Sequence, residues 1–428
     1  MSTILYWIKR MLPSTLLKRL RPPYHFALSY IGSVIYRQPS RHITVIGVTG
    51  TKGKSTDTEL IAHILEVDGK KVASLSTIQF TIAGTHRRNL YKMTLPGRFF
   101  LQKFLRDAVD AGCTHAVIEM TSEGAAQFRH RFVEMDALVF TNLSPEHIES
   151  HGSFEKYKAA KLSIAHQLEI SAKQPRYIVA NMDDEHGKDF LAVQVEEKLP
   201  YALSQLKLYT LHKDGVSLIY QNGEEEVTLR VPLVGLFNVY NALAAITLTH
   251  ALGVPLPTIE SALRSLPPIH GRVEHFFSPA SAVKRVTAIV DYAHTPDSLE
   301  KLYQAFKDAK KVCVLGNTGG GRDTWKRPEM ASIAERYCEK IILTNEDPYD
   351  EDPRKIVDEM AKGITDQSKL EIIMDRRLAI QTAVSEAAPG GYVLITGKGT
   401  DPYIMGPHNT KEVWSDAEVV QEALAAVS

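Results

Sequence analysis

Residues 50–56 read Gly-Thr-Lys-Gly-Lys-Ser-Thr, the residue types and spacing that hold a nucleoside triphosphate. Gly50 and Gly53 let backbone N–H groups curl around a phosphate at the start of a helix. Thr51, Lys52 and Thr56 complete the loop. Lys54 is placed to reach the β- and γ-phosphates, and the Ser55 hydroxyl to complete a Mg²⁺ shell. The usual GxxxxGK[ST] pattern puts its first glycine at position 48, which is Val48 here, with Gly47 and Gly50 on either side. A second set of donors follows. Glu119 ends the run AVIEM, and His147 lies just beyond LVFTN in Asn142-Leu-Ser-Pro-Glu-His147. A carboxylate suits Mg²⁺, and imidazole is a less usual ligand for it.

The elements that must position these groups alternate between strand and helix. Residues 43–48 (ITVIGV) form a short apolar strand, and residues 55–68 form a helix with Leu60, Ile61, Ile64 and Leu65 on one face and Gly69 as its stop. Further strands fall at 116–120, 137–141 and 177–180. That is the pattern of a mostly parallel sheet with crossover helices. Residues 206–231 switch to short alternating strands around Asn222-Gly223, an antiparallel region, before a helix at 238–252. Pro255, Pro257, Pro267, Pro268 and Gly271 then punctuate the chain, and a domain boundary falls near Gly271. Strands at 286–290, 311–315, 340–343, 370–373 and 392–395 build a second α/β unit beyond it.

Composition sets the outer limits. The chain has 428 residues, 44% hydrophobic and 23% charged, enough for two or three domains with full cores and too apolar for disorder. Fifty basic residues against fifty acidic ones give zero net charge, which argues against a nucleic-acid coat. Cys113, Cys313 and Cys338 are widely spaced and read as neither a disulfide framework nor a zinc site, which fits a reducing cytoplasm. Charge is uneven, however. Residues 1–42 hold no Asp or Glu and seven basic residues, interleaved over 1–21 with Trp7, leucines and isoleucines at helical spacing. Such a segment either packs on the body of the protein or lies at the inner face of a membrane. Residues 24–36 are apolar but too few to span a bilayer.

The motifs together resemble the Mur ligases, ATP-dependent amide-bond-forming enzymes of peptidoglycan precursor synthesis, and most of all the branch that adds the third amino acid to UDP-N-acetylmuramoyl-dipeptide. The resemblance covers about residues 43–428. It rests on GVTGTKGKST, Met93-Thr94-Leu95-Pro96, Glu119-Met-Thr-Ser122 with Arg129, TNLSPEHIESHGSFEKYKAAK, Asn181-Met-Asp183-Asp184 and LVGLFNVYNALAA. Gly271-Arg272-Val-Glu274, Asp291-Tyr-Ala-His294-Thr-Pro296-Asp297, GGGRDTWKRP, Glu346-Asp347-Pro348 and Gly397-Lys398-Gly399 complete it.

The resemblance implies a central P-loop domain over 43–270, a C-terminal Rossmann-like α/β domain over 271–428 and a short N-terminal segment over 1–42. It implies that ATP and two Mg²⁺ ions convert an acceptor carboxylate to an acyl phosphate, which an amino acid's amine then attacks. Lys54, Ser55, Glu119 and His147 would serve phosphate and metal. Lys161, a solvated helix lysine when read alone, matches the lysine that the family carbamylates with CO₂ to make a metal ligand. Asn238, Asn241, Arg272, Asp291 and His294 match nucleotide contacts. Thr94, Ser122 and Arg129 match acceptor contacts, and Arg322, Asp347, Lys398 and Asp401 match the amino-acid pocket. Diaminopimelate-adding members carry Asp-Asn-Pro-Arg where this chain has Glu346-Asp347-Pro348-Tyr349, with Thr400 and Asp401 replacing a usual histidine and glutamate. The amino acid therefore stays open between diaminopimelate, lysine and others. About forty residues precede the phosphate loop, where tripeptide synthetases have a whole UDP-binding domain, so the acceptor stays open between a UDP-linked and a lipid-linked precursor. The expected partners are small molecules, for a monomer that binds no nucleic acid. Alternatives are a folylpolyglutamate- or cyanophycin-synthetase-like ligase, an inactive nucleotide-binding subunit, or a P-loop motor, for which no Walker-B strand is evident.

Overall fold

A computed structural model describes residues 14–146, 148–222, 225–321 and 323–427. His147, Arg322, Gly223 and the amphipathic positions 1–13 lie outside the described residues. By internal contacts the chain divides into two compact units. One comprises residues up to Ala202 plus Leu243–Ile259, the other Leu203–Ala242 plus Glu260–Ser428.

The first unit begins with α1 (Ser14–Ile35) and β1 (Thr44–Thr49), followed by α2 (Lys54–Val67), which starts directly after the glycine-rich turn. Then come β2 (Val72–Leu75), β3 (Gln79–Ile82), β4 (Thr85–Arg88), α3 (Arg98–Asp110), β5 (His115–Glu119), the short α4 (Ser122–Ala126) and β6 (Ala137–Phe140). The series closes with α5 (Phe154–Glu169), β7 (Tyr177–Asn181) and β8 (Glu197–Tyr201). The strands form one eight-stranded sheet ordered β4-β3-β2-β5-β1-β6-β7-β8, parallel except for the β3 and β4 additions at one edge. β1 lies between β5 and β6, with Val48 opposite Glu119 and Val139. The phosphate loop and Glu119 therefore leave the sheet side by side at the carboxyl ends of adjacent parallel strands, where ligands bind in such sheets. Ile118, Met120, Leu138, Phe140, Ile164 and Leu168 are among the fully buried side chains of this unit's core.

The second unit contains an antiparallel meander, β9 (Leu206–His212), β10 (Gly215–Asn222) and β11 (Glu225–Val231). The helix α6 (Leu236–Ala251) follows, its residues from Leu243 on belonging to the first unit. A six-stranded sheet is then built from β12 (Glu274–Phe277), β13 (Thr287–Val290), β14 (Lys311–Leu315), β15 (Lys340–Leu343), β16 (Leu370–Ile372) and β17 (Tyr392–Ile395). Its order is β12-β13-β17-β14-β15-β16, with only β12 antiparallel. The helices α7 (Pro296–Ala305), α8 (Lys326–Tyr337), α9 (Pro353–Ala361), α10 (Arg376–Glu386) and α11 (Asp416–Ala426) complete it, with the ribbon β18 (Tyr403–Met405) and β19 (Lys411–Val413). Apolar clusters cover both faces of this sheet. They explain why its central strands read as unbroken apolar runs.

One expectation is corrected here. Cys313 and Cys338 are not independent thiols but a disulfide, with Cα atoms 6.1 Å apart. Cys338 sits between α8 and β15, and β15 pairs in parallel with β14, which carries Cys313. A crossover of 25 residues thus brings back to one place two cysteines that show no short-range spacing. Cys113 is free and buried.

Candidate active site

In the first unit the site is built on the turn between β1 and α2. Gly50 adopts φ +150°, and a Cβ there would stand 1.9 Å from Thr141 Oγ1, so no larger residue fits without moving the Thr141–Asn142 segment after β6. Gly53, at φ +86°, caps α2. Asn142 anchors the loop: its carbonyl accepts from Thr51 N–H, and its side-chain Oδ1 accepts from Lys52 N–H at 3.0 Å. The Thr51 hydroxyl meets Tyr157 Oη at 2.8 Å, and Lys52 pairs with Glu146 at 2.7 Å. The Lys54 ammonium donates to the Thr51 carbonyl at 2.8 Å, which lays it along the loop that would wrap a phosphate.

Glu119, buried at the end of β5, accepts from the Ser55 hydroxyl at 2.9 Å and from the Thr77 N–H at 2.8 Å. The Thr77 hydroxyl also lies 3.0 Å from the same carboxylate and 2.6 Å from the Thr94 hydroxyl. A hydroxyl has one proton, so Thr77 gives its own to Glu119 and receives one from Thr94. The structure thus joins Ser55, Glu119 and Thr94 through Thr77, a residue that sequence reasoning missed. Its signal was its place just after β2, itself parallel to β5.

Lys161, on α5, is wholly buried and donates to the Gly50 carbonyl at 2.5 Å. Burial first, and the Lys54 charge second, push its ammonium well below the ordinary lysine range. Ser122, the first residue of α4, meets His151 Nε2 at 3.2 Å, and the His151 ring contacts Tyr157. Arg129 donates to the Leu95 carbonyl and to Gln127. Thr56 is buried in the first turn of α2 beside Asp57, whose two carboxylate oxygens find no partner among the described residues.

In the second unit Asp347 follows β15 and Lys398 follows β17. They form a buried ion pair at 2.8 Å, and Lys398 also reaches Asp401 at 3.5 Å and the Tyr403 carbonyl at 2.5 Å. Asp347 Oδ1 accepts from Met405 N–H as well. Asp401 and burial together hold the Tyr292 hydroxyl well above its ordinary range. The Arg272 guanidinium lies 4.7 Å over the Tyr292 ring, and His294 Nδ1 contacts the Tyr292 carbonyl at 2.8 Å. Asp291 accepts from Val273 N–H and Ala293 N–H at 2.8 and 2.7 Å. Arg272, His294, Asp401, Lys398 and Asp347 are therefore one connected group around Tyr292. Beside them Glu346 is buried, accepts from the Thr318 hydroxyl at 2.9 Å and is raised above the ordinary carboxylate range by burial. On α6, Asn238 donates to the Val234 carbonyl at 2.8 Å and Asn241 to Asn238 Oδ1 at 2.9 Å.

A strand-end carboxylate beside a loop of backbone N–H groups, with serine and two threonines between, is the arrangement of an enzyme that handles a nucleoside triphosphate. The profile of the Mur ligase middle domain matches residues 48–249, and that of the Mur ligase glutamate ligase domain matches residues 271–399. The UDP-N-acetylmuramoyl-L-alanyl-D-glutamate–2,6-diaminopimelate ligase of Thermosynechococcus vestitus is 35% identical, over 94% of this chain and 81% of that protein. The UDP-N-acetylmuramyl-tripeptide synthetase of Roseiflexus sp. is 35% identical over 94% and 83%. A solved structure of a diaminopimelate ligase superposes with a TM-score of 0.61 at 29% identity, covering 89% of this chain and 78% of that one. A Mycobacterium tuberculosis folylpolyglutamate synthase complexed with ADP and AMPPCP superposes at 0.68, covering 87% and 92%, but at 15% identity it shows the fold alone. The chain belongs to the Mur ligase family, whose members are ATP-dependent peptide ligases.

Proposed function

We propose that this chain is an ATP-dependent, acid–amino-acid ligase that extends the peptide of a peptidoglycan precursor of the UDP-MurNAc-dipeptide type. The observation that carries the reading is the hydrogen-bonded series Ser55–Glu119–Thr77–Thr94 at the phosphate loop, which ties nucleotide residues to an acceptor residue. The acceptor carboxylate takes the γ-phosphoryl group of ATP, and ADP leaves. The amine of the incoming amino acid then attacks the acyl carbon, the tetrahedral intermediate expels phosphate, and the amine's proton is lost. Lys54 and the loop N–H groups hold the phosphates. Thr94, Ser122 and Arg129 orient the acceptor, while Asp347, Lys398 and Asp401 set the pocket for the amino acid, with Arg322 as its expected carboxylate partner. Arg272, Asp291, His294, Asn238 and Asn241 take the nucleotide.

The residues fit Mg²⁺: Ser55 and Glu119 present hard oxygen donors 2.9 Å apart, and phosphate oxygens complete such shells. When bound, Mg²⁺ offsets the charge of moving a phosphoryl group onto an anion. Lys161 fits carbamylation. Its amine is driven toward the neutral form, which is the form that bonds to CO₂ and releases a proton, and the product is an anionic oxygen donor beside Gly50. His147 is the remaining ligand proposed. The chain acts as a monomer on small-molecule substrates in the cytoplasm.

The test is phosphate release from ATP with UDP-MurNAc-L-Ala-D-Glu and single amino acids. Release that needs acceptor and amino acid together supports the reading. ATP turnover indifferent to both removes it.

A further inference from the structure

Over residues 22–35 the helix α1 has its polarity reversed. Residues 22–35 contain no Asp, Glu, Lys or Arg, and the outward side chains Tyr24, Phe26, Tyr30, Ile31, Val34 and Ile35 are 44–59% exposed. The side turned to the protein carries small and polar residues instead. Ser29 and Ser33 are buried, Ser29 donates to the Phe128 carbonyl at 2.8 Å, and Gly32 lies against Phe99 and Gln102 of α3. An ordinary surface helix buries its apolar face and shows water its charges. Here an aromatic and aliphatic stripe faces outward, a feature that marks an interaction surface.

Charge says what covers it. Lys18, Arg19 and Arg21 occupy the earlier turns of the same helix, Lys9 and Arg10 precede it, Arg37 and Arg41 follow it, and no acid occurs before residue 57. Cations at both ends of a stripe rich in tyrosine and phenylalanine match an anionic bilayer surface, where aromatic rings sit at headgroup level and each basic residue adds about 1 kcal/mol. Fourteen helical residues extend only about 21 Å, short of the roughly 30 Å hydrocarbon core. Among the described residues no helix is long and apolar enough to cross a membrane.

We infer that the outward face of α1 docks in the plane of an anionic phospholipid bilayer. Docking also places the proposed acceptor segment. The Phe26 ring lies 6.0 and 5.1 Å from those of Phe128 and Phe132, and Tyr30 lies 5.3 Å from Phe132. Both phenylalanines hold positive φ, and the segment between them carries Arg129. Phe128, His130 and Arg131 of that stretch line an open depression of about 480 Å³ with His151 and Lys156, beside Arg129. A bilayer that holds α1 is therefore brought next to the segment that carries Arg129, where an acceptor delivered by the membrane would meet it. Only this last step rests on the ligase reading; the docking does not.

Cosedimentation of the full chain with phosphatidylcholine vesicles, with and without 30% phosphatidylglycerol, tests it. Binding should need phosphatidylglycerol and weaken at least about tenfold between 50 and 500 mM salt. It should fall by about tenfold or more in Ile31→Glu/Val34→Glu and in Lys18→Ser/Arg19→Ser/Arg21→Ser, while phosphate release with a soluble acceptor stays at the wild-type rate. The salt and lipid series need no variant, so a misfolded mutant cannot hide the answer. Equal affinity for neutral vesicles, no affinity for either, or unchanged binding in the Ile31/Val34 variant overturns the inference. So does a wild-type dimer that the same variant converts to a monomer without any vesicle binding, which would assign the face to a second copy.

Discussion

Lys161 and His130 show how one buried titratable side chain sets a property that a solvated one would not. At Lys161 burial and the neighbouring Lys54 charge disfavour the ammonium form, the direction that the proposed reaction of its amine with CO₂ requires. Lys161→Ala should lower turnover by about 10²–10³-fold, the scale of losing one positioned electrostatic group. Short carboxylates should restore part of it by occupying the vacated space; full activity without them would take Lys161 out of the site. His130 is a stability prediction. Burial lowers its imidazole to about 4, Arg131 adds to this, and its Nδ1 has no partner among the described residues. Between about pH 4 and 6.5 the unfolded chain binds a proton there that the folded chain refuses, so stability falls as pH drops through that window. The loss is on the order of 3 kcal/mol from this group, fully present below pH 4 and absent above 6.5. His130→Gln should flatten the denaturation midpoint over the same range; an unchanged pH slope would contradict the assignment.

Elements decide which of these residues meet. Asp347 lies in the loop after β15, and Lys398 and Asp401 in the loop after β17 two strands away, separated only by β14. Their loops converge at the carboxyl end of the parallel sheet. Asp347→Asn keeps the bond from Met405 N–H but removes the charge facing Lys398. It should raise the amino acid KM by about 10–100-fold, a lost charge-assisted bond, and leave the ATP KM nearly unchanged. The reverse split would refute the placement. Deeper in the same unit, Arg376 at the start of α10 makes a two-pronged pair with Asp416 of α11 at 2.8 and 2.7 Å, both wholly buried, and Trp414 Nε1 donates to the same carboxylate. Arg376→Ala strands that charge and should cost about 3–5 kcal/mol in denaturant unfolding, whereas a loss under 1 kcal/mol would show that water reaches the pair. The sequence made most of these elements legible because their apolar runs are long and glycine marks their ends. The ITVIGV strand, the helix after Lys54 and the five strands after residue 286 all lie within two residues of expectation. What it hid were short antiparallel pieces such as β3, β4 and β12, whose side chains alternate too briefly to show a period. Thr77 was hidden for the same reason. No local pattern distinguishes a threonine that bridges a carboxylate to a hydroxyl 17 residues away from one that only ends a strand.

At the scale of the whole chain, two units with their own sheets and cores each carry part of the proposed chemistry. The first holds the phosphate loop, Glu119 and Lys161, and the second holds Asp347, Lys398 and the Arg272–Tyr292 stack. Family and fold class were readable from ordered motifs spread across both. The disulfide was not, because only the β14–α8–β15 crossover makes Cys313 and Cys338 neighbours. Nor does the family fix the amino acid: Tyr349 stands where diaminopimelate-adding members carry arginine, and its N–H is engaged by the Met405 carbonyl at 3.1 Å. The most direct measurement is therefore phosphate release from ATP with UDP-MurNAc-L-Ala-D-Glu. Lysine, diaminopimelate, ornithine and neutral amino acids are supplied in turn, and the products weighed by mass spectrometry. The account predicts release only when acceptor and one amino acid class are both present, with a product heavier than the acceptor by that residue. ATP bound but no tripeptide formed with any of them would contradict it.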